Sequence, residues 1–338
     1  MKAKTPKRRK AGKIILIIVI VLVVLFCALS LMLGNILFEF ALDPHAEIGM
    51  GDLFAQGEVP EATGGETPEE EYPEATKHWD EYADAAHDWY AAERESVVLE
   101  CADGSERRGS YFANSGHLYA VVCHGYLGNS AQMAAYAKAF YDLGMNVLVP
   151  DALAHGESDG QYIGMGWLER PDVLGWIDSL VEPDPEAQIV LFGVSMGGAT
   201  VMMAAGEDLP DNVKCIVEDC GYSSVMDEFS VQIDQMFGLP RFPLLYSADL
   251  ICRIRAGYGF SEASAVEQLK KAEVPMLFIH GEEDTFVPYE MLDVVYEACA
   301  SPVKEKLSIP GAAHGVAAWA DPAGYWGAIQ EFVGRFMD

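Results

Sequence analysis

The chain has 338 residues, of which 51% are hydrophobic, and its formal net charge at pH 7 is −30. That length accommodates one α/β domain of ordinary size with an appendage, and the composition supplies a large core. The first 13 residues hold seven of the 22 basic side chains and no acidic one, so the remainder has 15 basic against 52 acidic groups, a net of −37. Such an acidic surface repels nucleic acid and anionic lipid headgroups, which excludes nucleic acid as a partner.

An uncharged run covers residues 14–33, directly after the basic tail of residues 1–13. About 20 apolar residues suffice to span a bilayer as a helix. Because positive charge stays on the cytoplasmic side, the sequence predicts a single-pass protein of the cell membrane with its N-terminus in the cytoplasm and its main domain extracellular. A cleaved signal peptide is the competing interpretation, but its apolar region normally covers only about 7 to 15 residues. The lipid bilayer is therefore an expected partner.

Residues 34–75 are predicted to form an acidic flexible linker. Their most biased part, EVPEATGGETPEEEYPEA at 58–75, has too few apolar side chains to offset the entropy of ordering. We interpret it as a tether that lifts the following domain, residues 76–338, off the membrane. Within that domain, residues 77–94 carry aromatic side chains at helical spacing and predict a helix packed against the rest.

From residue 96 onwards, short apolar segments alternate with amphipathic ones. Strands are predicted at 97–101, 108–112, 118–123, 145–150, 189–192, 213–217, 274–280 and 306–309, and helices at 131–143, 168–180, 199–205, 265–272, 290–300 and 321–337. The first two strands resemble a hairpin. Alternation of this kind implies an α/β fold with a mostly parallel sheet that is covered by helices on both faces.

Residues 222–260 interrupt the alternation and are rich in Met, Phe, Leu and Pro. A connection of this length inside a compact domain is usually functional, so we predict a small helical cap. The cap side chains that are candidates for a substrate pocket are Met226, Phe229, Met236 and Phe237, with Phe242 and Tyr246 beside them. Burial of the cap's own interior explains each of these side chains equally well.

The stretch QIVLFGVSMGG, residues 188–198, combines a buried strand with a serine between two glycines. The pattern G-x-S-x-G between a strand and a helix is typical of a nucleophile elbow, a cramped turn that holds a serine hydroxyl clear of the sheet. Side chains at Gly193 or Gly197 would collide with neighbouring segments in so sharp a turn. Ser195 is therefore the candidate nucleophile.

A serine hydroxyl needs a base within hydrogen-bond reach, and the base needs an acid that orients it. The segment HGEEDTFVP places Asp284 after one predicted strand, and PGAAHG places His314 after the last strand. The order Ser195, Asp284, His314 is the order of nucleophile, acid and base in α/β-hydrolases. Glu282 and Glu283 are the rival acids.

A tetrahedral intermediate also needs donors for its negative oxygen. The backbone N–H of Met196, at the start of the helix after the serine, is one candidate. The other is the N–H of Tyr126 in the loop HGYLGN, residues 124–129, where Gly125 permits the backbone to turn inward. The three histidines His124, His155 and His280 also precede glycines.

The seven cysteines show no C-x-x-C motif and no His/Cys ligand spacing, so no metal site is expected. Their pairing in disulfides cannot be deduced from the sequence.

Residues 96–338 resemble an α/β-hydrolase, in particular membrane-anchored bacterial serine hydrolases related to the BEM46-like and serine-aminopeptidase-like groups. The resemblance rests on motifs that occur in the expected order: HGYLGN, DALAHGESDG, GMGWLERPDV, GVSMGG, HGEEDTFVP and GAAHG. It implies an eight-stranded, mostly parallel sheet, hydrolysis of an ester, thioester or amide, and no metal or organic cofactor. In the family, histidines such as His124, His155 and His280 mostly brace the loops around the elbow.

The predicted function is that of a serine hydrolase acting on an acyl-bearing small molecule or peptide. A carboxylesterase is favoured because the cap is apolar and no cationic pocket is evident, and a peptidase is the alternative. A non-catalytic surface binding module on the same fold is the alternative of another class. Intact candidates for all three triad positions and for the oxyanion loop argue against that module.

Overall fold

The computed structural model of the chain describes residues 6–46, 49 and 73–337. Within these ranges the strands are β1 Glu95–Glu100, β2 Glu106–Phe112, β3 Leu118–Cys123, β4 Asn146–Pro150, β5 Gln188–Val194, β6 Val213–Asp219, β7 Met276–Gly281 and β8 Lys304–Ile309. The helices are α1 Pro6–Leu42, α2 Pro73–Glu93, α3 Ala134–Asp142, α4 Arg170–Val181, α5 Met196–Ala204, α6 Val225–Phe237, α7 Leu244–Arg255, α8 Ala265–Leu269, α9 Glu290–Ala298, α10 Ala317–Ala320 and α11 Pro322–Val333.

The eight strands form one sheet in the order β1-β2-β4-β3-β5-β6-β7-β8. Strand β2 pairs antiparallel with β1 and β4, and all remaining neighbours pair parallel. The predicted mostly parallel sheet and its N-terminal hairpin are confirmed. Parallel order brings the carboxyl ends of β3, β5, β6, β7 and β8 to one edge, where loops of an open α/β sheet form binding sites.

Both faces of the central strand β5 are buried, which explains its uninterrupted apolar sequence. Ile189 and Leu191 belong to the core on one face of the sheet. Val190 and Phe192 belong to the core on the other face, where the ring of Phe192 lies 5.3 Å from that of Phe140 on α3. The helices on both faces are therefore held by alternate residues of the same strand.

Helix α1 is long and apolar enough, over Gly12–Leu42, to cross a membrane. The uncharged run ends at residue 33, and the sequence analysis predicted a linker from residue 34 onwards. In the structure the helix continues to Leu42. Residues 34–42 are thus helical and are not part of a flexible linker. Their helix is stabilised by tertiary contacts, since Phe38 and Leu42 are fully buried against the domain. The biased stretch at 58–75 lies almost entirely outside the described residues.

The predicted cap consists of α6 and α7 between β6 and α8. Ser224 caps α6 by accepting the backbone N–H of Asp227, and Gly238 ends the helix with a positive φ of 61°. Val225 and Phe229 of α6 are buried against the domain. The cap is therefore packed against the rest of the domain as a folded part of it.

Two smaller differences from the sequence analysis concern the first and the last helix of the domain. Helix α2 begins at Pro73, a few residues before the predicted start. The predicted helix at 321–337 corresponds to α11, which Asp321 caps by accepting the N–H of Gly324, but it ends at Val333, and the short α10 before it was not predicted.

Candidate active site

Ser195 lies between β5 and α5 with φ 57° and ψ −117°, a backbone conformation that residues with a side chain rarely adopt. Its N–H donates to the carbonyl of Asp219 at 2.8 Å, which ties the turn to the end of β6. A Cβ at Gly193 would lie 2.2 Å from the carbonyl oxygen of Gly197, and one at Gly197 would lie 2.2 Å from that of Cys123. The two glycines are therefore required by close backbone contacts, as expected for an elbow.

The structure brings the three predicted triad residues together. Nε2 of His314 lies 2.9 Å from Oγ of Ser195, and Nδ1 of His314 lies 2.7 Å from Oδ2 of Asp284. A carboxylate only accepts hydrogen bonds, so Nδ1 carries the proton and Nε2 is left as the acceptor for the serine hydroxyl. Both Ser195 (2% exposed) and His314 (4% exposed) are screened from solvent.

Asp284 is surrounded by donors. Its Oδ1 accepts the backbone N–H groups of Phe286 at 3.0 Å and Val287 at 2.9 Å, while His280 lies beside Oδ2 at 3.2 Å. Burial would raise the pKa of this carboxyl, but the two histidines outweigh burial and lower it to about 2. The rivals Glu282 and Glu283 are exposed and face solvent.

The two predicted oxyanion donors belong to adjacent segments. Met196 opens α5, so its N–H is one of the first-turn amides that have no acceptor within a helix. The end of β3 and its loop pack directly on this turn, because a Cβ at Gly197 would also lie 2.8 Å from the carbonyl oxygen of His124. Tyr126 follows in that loop, and its hydroxyl donates to the carbonyl of Ala41 on α1 at 2.5 Å.

Two of the three histidines that precede glycines brace the loops. Nε2 of His124 accepts the N–H of Ala152 at 2.9 Å, and Nε2 of His155 accepts the N–H of Leu127 at 3.1 Å. Burial, with a smaller effect of His124, lowers the pKa of His155 to about 3, so this ring stays neutral. Both rings therefore act as fixed hydrogen-bond links between the loops after β3 and β4.

Among the described residues, one group has a spacing that could hold a metal ion: Cys220, Asp284 and His314, whose ligand atoms lie within 4.8 Å of one another. Burial and the neighbouring charges of Asp219 and Asp284 raise the pKa of the Cys220 thiol well above its ordinary value. A protonated thiol is a poor metal ligand, and Asp284 and His314 already bind each other. The chemistry of these donors does not fit a resident metal.

A small apolar cavity of about 40 Å³ lies between α1 and the cap. Three of the predicted pocket residues, Phe229, Met236 and Phe237, line it, whereas Met226 is buried in the core and does not. Phe242 and Tyr246 lie outside the cavity with half or more of their surface exposed. Residues of α1 that sequence reasoning assigned to a linker complete the walls: Leu37, Phe40 and Ala41.

Two buried carboxyl groups near the elbow also escaped sequence reasoning. Burial raises the pKa of Glu218, on β6, to about 8 and that of Glu228, on α6, to about 8. Glu218 accepts the N–H of Gly221 at 2.9 Å, and Glu228 accepts Nε2 of Gln232 at 2.7 Å. Nothing in their sequence context distinguishes them from solvated acids, because burial is a property of the fold.

The strand order, the elbow and the loop positions define the α/β-hydrolase fold, and the family model for that fold matches residues 121–264. The chain belongs to the α/β-hydrolase superfamily, which confirms the resemblance inferred from the motifs.

Relatives in distant organisms carry the same domain. YqkD of Bacillus subtilis is 28% identical over 262 residues, which cover 75% of this chain and 85% of that protein. The bem46 protein of Schizosaccharomyces pombe is 25% identical over 62% of this chain and 65% of its own length. Human monoglyceride lipase is 25% identical over 73% of this chain and 88% of its own length.

Among solved structures, the esterase Pf2001 of Pyrococcus furiosus superposes with a TM-score of 0.59. The match covers 73% of this chain and 93% of the esterase, at 23% sequence identity. A likeness at this identity shows the shared fold.

Proposed function

We propose that the protein is a serine hydrolase that cleaves an ester through an acyl-enzyme intermediate, with Ser195, His314 and Asp284 as its catalytic triad. The observation that carries the proposal is the unbroken chain of hydrogen bonds from Asp284 through His314 to Ser195, at 2.7 and 2.9 Å. This chain lies on an elbow whose glycines leave no room for side chains.

The reaction follows from these positions. Oγ of Ser195 attacks the ester carbonyl carbon while its proton passes to Nε2 of His314. Asp284 holds the ring through Nδ1 and stabilises the imidazolium that forms. Nε2 then returns the proton to the leaving alcohol as the ester C–O bond breaks. A water molecule, deprotonated by the same nitrogen, attacks the acyl carbon. The bond from that carbon to Oγ of Ser195 then breaks, Oγ takes the proton back from Nε2, and the acid is released.

The oxyanion of each tetrahedral intermediate is assigned to the N–H groups of Met196 and Tyr126. Each such donor lowers the barrier by about 3 to 4 kcal/mol when it is aligned with the developing charge. The close packing of the β3 loop on the first turn of α5 supports this pairing, since it places the two segments side by side.

An ester is favoured over an amide because the cavity beside the cap is lined almost entirely by apolar side chains. The relative named monoglyceride lipase supports the same choice. Amide hydrolysis by a peptidase is the alternative within the class. Turnover of aminoacyl or prolyl amides well above that of p-nitrophenyl esters would reverse the ranking.

Membrane anchoring belongs to the same proposal. Helix α1 is assigned as a single span with the basic tail of residues 1–13 in the cytoplasm and the hydrolase domain outside. Protease added to intact cells should remove the domain, and complete protection would reverse the orientation.

A fluorophosphonate probe tests the nucleophile. The wild type should be labelled covalently, Ser195→Ala should not, and Ser115→Ala, which changes an exposed serine in the loop before β3, should be labelled like the wild type. Equal labelling of wild type and Ser195→Ala would end the proposal.

A further inference from the structure

The C-terminal part of α1 is docked on the cap. Ser30, Phe38 and Leu42 are buried at intervals that place them on one face of the helix. On the same face, a Cβ at Gly34 would lie 2.5 Å from Cβ of Ser247 on α7. The two helices therefore cross with their backbones in direct contact at Gly34.

Polar contacts fix this crossing. Arg255, at the end of α7, donates to Oδ1 of Asn35 at 2.9 Å and to Oε1 of Glu39 at 2.7 Å. The N–H of Ile163 donates to the carbonyl of Leu42 at 2.9 Å. The helix end is thus bonded both to the cap and to the loop before α4, so the domain lies against its anchor and is not lifted away from it.

The position of the crossing along α1 places the cap at the membrane surface. The uncharged residues 14–33 span about 30 Å at 1.5 Å per residue, which equals the hydrocarbon thickness of a bilayer. Gly34 is the next residue. Helix α7 therefore meets α1 at the level where the anchor leaves the hydrocarbon.

The free side of α7 is apolar apart from Arg253, whose side chain is 45% exposed and pairs with Asp249 and Glu262. Tyr246, Leu250 and Ile254 follow one another at intervals of four residues on α7 and so share a face. The ring of Phe242, which precedes the helix, lies 6.1 Å from that of Tyr246, and we call these four residues the α7 stripe. All four are exposed, from 46% for Leu250 to 72% for Ile254. The ring of Phe237, 46% exposed at the end of α6, lies 6.2 Å from that of Phe40 on α1, so an exposed apolar side chain of the cap also meets the anchor helix. Contact of these apolar side chains with a bilayer is favourable, whereas their exposure to water is not.

Residues in the walls of the cavity between α1 and the cap contact the segments around the triad. Its wall residue Ala41 accepts the hydroxyl of Tyr126, the candidate oxyanion residue. Its wall residue Gln232 donates to the carbonyl of Phe286 at 2.8 Å, and the ring of Phe286 lies 5.0 Å from that of His314. The cavity walls are therefore hydrogen-bonded to the segments that carry the candidate oxyanion donor and flank the candidate base.

We propose that the substrate is an ester whose long acyl chain resides in the membrane, and that this chain enters sideways between α1 and the cap while the α7 stripe lies in the outer leaflet. The inference rests on the proposed serine hydrolase function. In this arrangement the last turns of the anchor, with Leu37, Phe40 and Ala41, are part of the substrate pocket. The small size of the cavity means that an entering chain displaces the partly exposed Met236 and Phe237.

The first experiment fills the cavity in the full-length protein, reconstituted in vesicles of zwitterionic phosphatidylcholine. Ala41→Phe is compared with Ala28→Phe, which makes the same change on the exposed, lipid-facing part of α1. The ratio of hexadecanoyl to butanoyl p-nitrophenyl ester turnover should fall about ten-fold or more in Ala41→Phe, corresponding to about 1.4 kcal/mol, and should stay at the wild-type value in Ala28→Phe. An unchanged ratio in Ala41→Phe would overturn the entry route.

The second experiment does not depend on activity. Tryptophan is introduced as Phe242→Trp in the stripe and as Val294→Trp on the exposed face of α9, and each added emission is measured in vesicles with brominated acyl chains. An interfacial helix buries its apolar face about 5 to 10 Å into the leaflet, so about half or more of the Phe242→Trp emission should be quenched, and that of Val294→Trp should not. Unquenched emission of the tryptophan in Phe242→Trp would overturn the membrane contact. A detergent-resistant dimer in which the α7 stripe is covered by a second copy would overturn it as well.

Fluorophosphonate labelling separates the two proposals. Normal labelling with an unchanged chain-length ratio and no quenching would remove the membrane route and keep the hydrolase. Absent labelling with strong quenching would remove the hydrolase and keep the membrane contact.

Discussion

Nε2 of His280 lies 3.2 Å from Oδ2 of Asp284, and neither side chain is exposed. The same oxygen accepts Nδ1 of His314 at 2.7 Å. Nε2 of His280 also lies 2.9 Å from the carbonyl of Val287, a partner that only accepts, so this nitrogen carries a proton. Burial alone would lower the pKa of His280, but its hydrogen bond to Asp284 raises it. Asp284 is thus held by donors on both oxygens.

The carboxylate should be essential for the rate. In Asp284→Asn the amide NH2 group can donate to Nδ1 of His314. This favours the tautomer whose proton is on Nε2, and that tautomer cannot accept the proton of Ser195. We expect kcat to fall about 10⁴-fold, the loss that this exchange causes in a serine protease triad. The neighbouring Glu283→Gln alters an exposed side chain and should keep the wild-type rate. Steady-state ester hydrolysis measures both, and similar losses in the two variants would contradict the assignment of the acid.

The second histidine should matter less, because Asp284 keeps its other donors. His280→Phe removes one charge-assisted hydrogen bond, which contributes about 1.5 to 3 kcal/mol, and we expect kcat to fall about ten-fold with little change in KM. His117→Phe, at an exposed histidine before β3, is the control. A purely structural role would instead lower the melting temperature and leave the rate per folded molecule unchanged.

The loops that carry the candidate triad were predictable because each follows a strand whose apolar run is visible in the sequence. The carboxyl ends of parallel strands meet at one edge, so Ser195, Asp284 and His314 had to approach one another once the strands were recognised. The roles of His280 and Glu228 were not predictable, since they depend on which neighbours become buried.

The helical structure of residues 34–42, which were predicted to belong to the linker, was missed for a related reason. Gly34 and Asn35 are typical of a helix end, and the following residues lead into an acidic stretch. In the structure Gly34 instead permits close contact with α7, and Phe38 and Leu42 extend the helix by burial. Contacts with a segment more than 200 residues away are not encoded in local propensity.

The elbow glycines should tolerate no side chain. A Cβ at Gly197 would lie 2.2 Å from the carbonyl oxygen of Cys123 and 2.8 Å from that of His124, and both are backbone atoms that cannot rotate away. Gly197→Ala should lower the free energy of unfolding by about 3 kcal/mol or more and abolish fluorophosphonate labelling. Gly327→Ala on α11, where an added Cβ meets nothing within 4 Å, should raise it by about 0.5 to 1 kcal/mol. Thermal unfolding in detergent compares the two, and a folded, labelled Gly197→Ala protein would refute the steric argument.

Glu228 should make the protein less stable at alkaline pH. Burial raises the pKa of its carboxyl in the folded protein to about 8, whereas in the unfolded chain the group titrates near its ordinary value of 4.5. Between these values the folded state holds a proton that the unfolded state has lost, so stability falls as pH rises, by about 1.4 kcal/mol for each pH unit. Below the unfolded value both states are protonated and this contribution to stability is fully present.

Glu228→Gln removes this titration while keeping a similar shape and the contact with Gln232. Its melting temperature should exceed that of the wild type at about pH 8.5 and approach it at about pH 5. Glu297→Gln on the exposed face of α9 should follow the wild type at both pH values, because it changes a side chain that lies in solvent. Thermal unfolding of the full-length protein in detergent gives the comparison, and a pH dependence of Glu228→Gln equal to that of the wild type would show that this carboxyl is already ionised in the fold.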